Sequence, residues 1–185
     1  MTCSEEKKMI FRKICAMWTL AMFLSGNSVA QEIPQPTENC AATDVALPVP
    51  LIGWQKKGNL TSATQASALD VAALPLAQGM IVSLHPTREV SYVIGPEKPG
   101  GSVAHGGMVS VSIHQAGRYQ VSLGSRAWID LVKDGGPISS ADHAPGPRCS
   151  TIRKTVVFAL QPGSYVLQIS ANADSTLPVM VTLVP

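Results

Sequence analysis

The residues best equipped for chemistry in this 185-residue chain crowd between positions 126 and 154. Trp128-Ile129-Asp130-Leu131-Val132 alternates so that Ile129 and Leu131 share one face of a strand and Trp128, Asp130 and Val132 the other. A carboxylate beside tryptophan on so apolar a strand is costly unless something satisfies it. Arg126, Arg148, Arg153 and Lys154 are the candidate partners; alternatively, Asp130 faces a cleft and serves a ligand. The loop that follows carries Lys133-Asp134-Gly135-Gly136, Ser139-Ser140-Ala141-Asp142-His143 and Pro145-Gly146-Pro147-Arg148-Cys149-Ser150. Polar loops held on a rigid scaffold are where binding residues concentrate. Trp128, Asp130, His143, Arg148 and Arg153 are therefore the expected ligand contacts.

Catalytic patterns are sparse. His143 near Cys149 suggests a metal or a Cys–His nucleophile, but two or three donors fall short of a closed zinc site. His85, His105 and His114 show no H-x-H or H-E-x-x-H spacing and no two-histidine-one-carboxylate set. Ser102, Ser122 and Ser125 lack a G-x-S-x-G elbow. Gly100-Gly101 and Gly106-Gly107 read as turn punctuation and open no helix, so no phosphate loop is indicated. The expectation is no catalytic residue, no cofactor and no metal.

The elements that must position these residues show in a phrase used twice. Ala116-Gly117-Arg118-Tyr119-Gln120-Val121-Ser122-Leu123 recurs as Pro162-Gly163-Ser164-Tyr165-Val166-Leu167-Gln168-Ile169. Each copy is a turn glycine, a tyrosine two residues on, and apolar residues at every second position: a strand with one buried face. Counting these two, strands are expected over 71–76, 80–85, 89–94, 107–113, 118–123, 127–133, 153–160, 164–170 and 177–184, separated by Gly- and Pro-rich turns. Eight or nine short strands at such intervals predict an all-β, antiparallel β-sandwich over residues 69–185. Residues 31–68 read as Pro-rich and partly irregular, extended through Pro34, Pro36, Pro48 and Pro50 and irregular over 54–68. An Ala-rich stretch over 62–74 could add a short helix.

Export is read from the N-terminus. Lys7, Lys8, Arg12 and Lys13 precede an apolar run over 14–24, and Ser28-Val29-Ala30 offers small residues to signal peptidase. Residues 1–30 are accordingly expected to be a signal peptide cleaved after Ala30. The apolar run is too short to span a bilayer. The leader holds four of the 14 basic and two of the 12 acidic residues, so the mature chain keeps ten of each. A neutral domain has no electrostatic footprint for nucleic acid or anionic lipid. Cys3 and Cys15 leave with the leader, and in an oxidising periplasm Cys40 and Cys149 are expected to pair.

The run from about residue 105 onward resembles the bacterial pre-peptidase C-terminal type of β-sandwich, whose modules are non-catalytic accessories. More specifically, Gly106-Gly107-Met108-Val109, Gly117-Arg118-Tyr119, Ala127-Trp128-Ile129-Asp130, His143, Cys149-Ser150-Thr151-Ile152-Arg153-Lys154 and Val157-Phe158 resemble a family of small exported proteobacterial proteins. Members of that family sometimes carry the label homogentisate 1,2-dioxygenase. Such an enzyme is a larger cytosolic cupin holding iron with two histidines and a carboxylate, a set this sequence does not display. The expected function is a periplasmic, non-enzymatic binding or envelope-accessory role, with an envelope protein or small ligand as partner and no stable membrane insertion after cleavage. The alternatives are a copper- or zinc-handling protein using His143, His105 and nearby carboxylates, and an iron-dependent oxygenase.

Overall fold

A computed structural model describes Cys40 and residues 42–185, and these belong to one compact unit. The leader expected over 1–30, and Pro34 and Pro36, lie outside the described residues. The architecture is an all-β sandwich. Among the described residues there are eleven strands rather than eight or nine: β1 (Lys57–Thr61), β2 (Gly79–Ser83), β3 (His85–Pro86), β4 (His105–Ile113), β5 (Gly117–Leu123), β6 (Trp128–Lys133), β7 (Gly136–Ile138), β8 (Asp142–Ala144), β9 (Lys154–Leu160), β10 (Gly163–Asn172) and β11 (Thr176–Val184). One sheet runs β1-β2-β11-β5-β9-β8 and the other β3-β4-β10-β6-β7. All pairs are antiparallel except β1 with β2. A parallel pair needs a crossover, and residues 62–78 supply it.

The two-residue period decides what lies between the layers. Tyr119, Val121 and Leu123 of β5, Val156, Phe158 and Leu160 of β9, and Leu177, Val179 and Val181 of β11 face Val109, Val111 and Ile113 of β4, Ile129 and Leu131 of β6, and Tyr165, Leu167 and Ile169 of β10. The repeated phrase does the same work in both sheets. Tyr119 and Tyr165 are buried, and each hydroxyl donates to the carbonyl four residues upstream, Gln115 O at 3.0 Å and Gln161 O at 2.9 Å. Each tyrosine thus fills the core and fastens the corner that precedes its own strand. Gly163 has φ +146, a conformation side chains disfavour, which explains its place in the turn.

Both outer faces are also covered. Leu51, Trp54, Ile152 and Met180 form a second cluster on the first sheet. There Trp54 Nε1 donates to Thr151 Oγ1 at 2.8 Å, and the Thr151 N–H donates to Asp44 Oδ1 at 2.7 Å. Cys40 and Cys149 form the expected disulfide, S–S 2.01 Å, beside this cluster. On the second sheet, Ala63, Ala72 and Met108 pack with Leu69, Val90 and Tyr92.

Several expected elements differ. Residues 71–76 are not a strand. Pro75 lacks the N–H and Ala77 has φ +57, so the segment makes only isolated bridges, Ala73 to Ser110 in one sheet and Leu76 to Val181 in the other. Residues 89–94 are not a strand either: the Gln168 side chain satisfies both the N–H and C=O of Ile94, at 3.1 and 3.0 Å, in place of a neighbouring strand. The Ala-rich stretch forms one 310 turn, Ala66–Ala68. Residues 54–68, expected to be irregular, contain β1 and the fully buried Trp54. Gly106-Gly107 lies inside β4 and does not punctuate a turn. A Cβ on Gly106 would strike the Tyr92 hydroxyl and the Ile169 carbonyl oxygen, so the bare backbone there admits the covering segment.

A candidate ligand-binding cleft at the edge of the sandwich

Segment 63–77 stitches one long edge of the sandwich through backbone bridges to both sheets. The other edge is built differently. β7 pairs with β6 only at Leu131–Lys133, β8 pairs with β9 only at Thr155–Val157, and residues 139–141 cross from one sheet to the other. Short flanking strands leave the first half of β6 and the start of β9 uncovered. A cleft of about 540 Å³ opens there, within the range of small-molecule sites. Ile129, Leu131, Ile138, Val156 and Phe158 supply its apolar floor, and Trp128, Asp130, Ser139, Ser140, His143 and Lys154 its polar wall. The stretch after residue 133, expected as a loop, is thus partly strand.

Register explains why these side chains meet. His143 sits opposite Val156, and directly paired residues share a face, so the imidazole lies on the interlayer side of β8, exposed at the edge. Lys154 pairs with Leu123 and therefore also projects from the inner face. Its ammonium crosses to the other sheet, where it donates to Ala127 O at 3.1 Å and lies 5.0 Å from the centre of the Trp128 ring. From the outer side, Ser170 Oγ donates to Lys98 O at 2.8 Å, and the Lys98 ammonium comes within 4.4 Å of the same ring. One indole thus receives two cations, each from a different covering element, in the geometry of a cation–π contact.

Asp130 is satisfied differently from the sequence expectation. Its Oδ1 accepts the Trp128 indole N–H at 3.0 Å, and none of Arg126, Arg148, Arg153 or Lys154 forms an ion pair with it among the described residues. Oδ2 is buried and has no hydrogen-bond partner among the described residues. The negative charge is nevertheless felt. Burial, chiefly, and then Asp130 push the Tyr92 phenol up to about 12. Burial and the neighbouring Lys98 hold Lys154 below the usual ammonium range, while Asp130 opposes that fall.

Of the five residues expected to bind, Trp128, Asp130 and His143 line this cleft; Arg148 and Arg153 do not. Arg148 is an exposed neighbour of the disulfide, and Arg153 is exposed with its backbone N–H donating to Leu123 O at 2.8 Å. The disulfide draws the 145–151 segment toward residue 40 and away from β6, which sequence proximity alone does not disclose. Lys98 was missed because 30 positions, including all of β4 and β5, separate it from Trp128. Lys154 was visible only as a partner for Asp130. No group of three or more His, Cys, Asp or Glu side chains able to hold a metal occurs among the described residues, so His105 and His143 do not join in a shared site there.

Comparison of the chain with protein-family models and with curated proteins gave no match.

Proposed function

We propose that this chain is an exported, non-enzymatic binding or envelope-accessory protein of the periplasm, and that it engages its ligand in the cleft between β6 and β9. The observation that carries the reading is the convergence of Trp128, Asp130 and His143 over an apolar floor at the sandwich edge flanked by the three-residue strands β7 and β8. Cation-flanked indole, hydroxyls and an aliphatic floor make a surface that can hold a molecule by contact and orientation. The Cys40–Cys149 disulfide supports an oxidising compartment. Kinship with the small exported proteobacterial family belongs to the same proposal.

Two measurements test it. Cell fractionation and intact mass should find the protein in the periplasm, beginning at Gln31; full-length protein in the cytoplasm rejects export. Titration of the isotopically labelled mature protein with a broad panel of metabolites and envelope extracts should move the Trp128 indole resonance saturably. A panel that leaves that resonance unmoved rejects the cleft as a binding site.

A further inference from the structure

Lys154 brings an ammonium donor to the cleft lining. Lys154 has three N–H bonds, and one goes to Ala127 O. Its ammonium is half-buried, yet among the described residues no carboxylate lies within 4.0 Å of it, since the ion pairs found there are Lys57–Asp44 and Arg88–Glu89. A cation removed from water without a close counter-ion is unfavourable and is relieved by an incoming anion. Lys98 touches the same indole but is exposed and stands outside the cleft lining, while Ser139, Ser140 and His143 bring further hydrogen-bonding groups to the wall.

Asp130 is a competing acceptor in the lining, and it is partly engaged. Oδ1 is occupied by the indole N–H, and Oδ2 is closed off from solvent. Its charge favours the ammonium form of Lys154. Glu97 is exposed at the lining, where solvent screens it. Below these groups the floor is aliphatic apart from Phe158.

Resting on the reading of the cleft as a binding site, we infer that its ligand is a carboxylate on an aliphatic body. The acid is held by Lys154, and the hydrocarbon lies on Ile129, Leu131, Val156 and Phe158. A free medium-chain acid and the C-terminal end of an apolar peptide share this chemistry.

The test is calorimetric titration of the mature protein with octanoate, octanamide, octylamine, and N-acetyl-dileucine as acid and as amide. Octanoate or the dipeptide acid should bind saturably and at least about tenfold more tightly than its own amide, the effect of one charge-assisted contact. Binding by octanoate assigns the free acid, and binding by the peptide alone assigns the chain end. Lys154→Met should lose about the same factor, and Lys154→Arg should keep most of it. The comparison of acid with amide uses unaltered protein, so it stands whether or not the variants fold. Equal binding of acid and amide, tighter binding of octylamine, or no binding by either acid overturns the inference. If the acids fail while another compound moves the Trp128 resonance, this assignment falls and the binding reading survives.

Discussion

At the scale of single residues, the two tyrosines of the repeated phrase and the phenol of Tyr92 give the sharpest expectations. Tyr119 and Tyr165 donate to carbonyls of their own corners, so Tyr119→Phe and Tyr165→Phe should each lower stability by about 1 kcal/mol in urea unfolding, the usual worth of one such bond. Tyr92 donates to Ile169 O at 2.8 Å and has its pKa raised from 10.0 to about 12 by burial, with Asp130 adding to the rise. In the unfolded chain this phenol ionises near pH 10, while the folded protein retains the proton. Its contribution is thus complete below pH 10 and is lost as pH climbs through about 12. Asp130→Asn removes one of the charges opposing the phenolate, so ultraviolet titration should show the Tyr92 pKa moving down toward 10.

At the scale of elements, what covers the sheets matters as much as the sheets. The segment after the 310 turn Thr87–Glu89 gives up strand pairing because Gln168 and Ser170 of β10 hold its backbone from below. That arrangement requires glycine at 106, where a Cβ would meet Tyr92 and the Ile169 carbonyl. Gly106→Ala should therefore cost about 1–3 kcal/mol, the range of overpacked sites, whereas Gly101→Ala, which meets nothing within 4 Å, should fall within about 0.5 kcal/mol of the parent. Paired denaturation curves decide between this account and one in which both glycines merely loosen turns. The strands of the C-terminal half were legible because the face each turns to the opposite layer is apolar at every second residue. Residues 71–76 and 89–94 mimic that alternation, but Leu74 reaches the interlayer core while Ala72, Val90 and Tyr92 pack on an outer face, and Pro75 and Gln168 redirect the backbone.

At the scale of the whole molecule, the disulfide closes a span of 109 residues and fixes the segment that carries Trp54 against the first sheet. Cys40→Ser with Cys149→Ser should cost roughly 4–5 kcal/mol in the chain-entropy picture, while the main core, which does not contain either cysteine, keeps the sandwich assembled. Circular dichroism with an unchanged β signature at a lowered denaturation midpoint is the expected result; loss of all β structure would place the disulfide among the determinants of the fold. The same bridge sets the boundary of the candidate site. By drawing residues 145–151 toward Cys40 it leaves His143 at the cleft and removes Arg148 from it.

The amino-acid sequence alone determined the class: periodicity of two with glycine corners permits little besides packed sheets, and two cysteines left after a leader argue for their pairing. It also marked Trp128, Asp130 and His143, since polar groups on an apolar strand and a polar stretch stand out locally. Only the tertiary structure decided which cations meet the indole, that Asp130 is bonded by its own neighbour, and which sandwich edge stays open. Those outcomes depend on register and on crossings between segments far apart in the chain, and side-chain alternation within one strand holds no record of either.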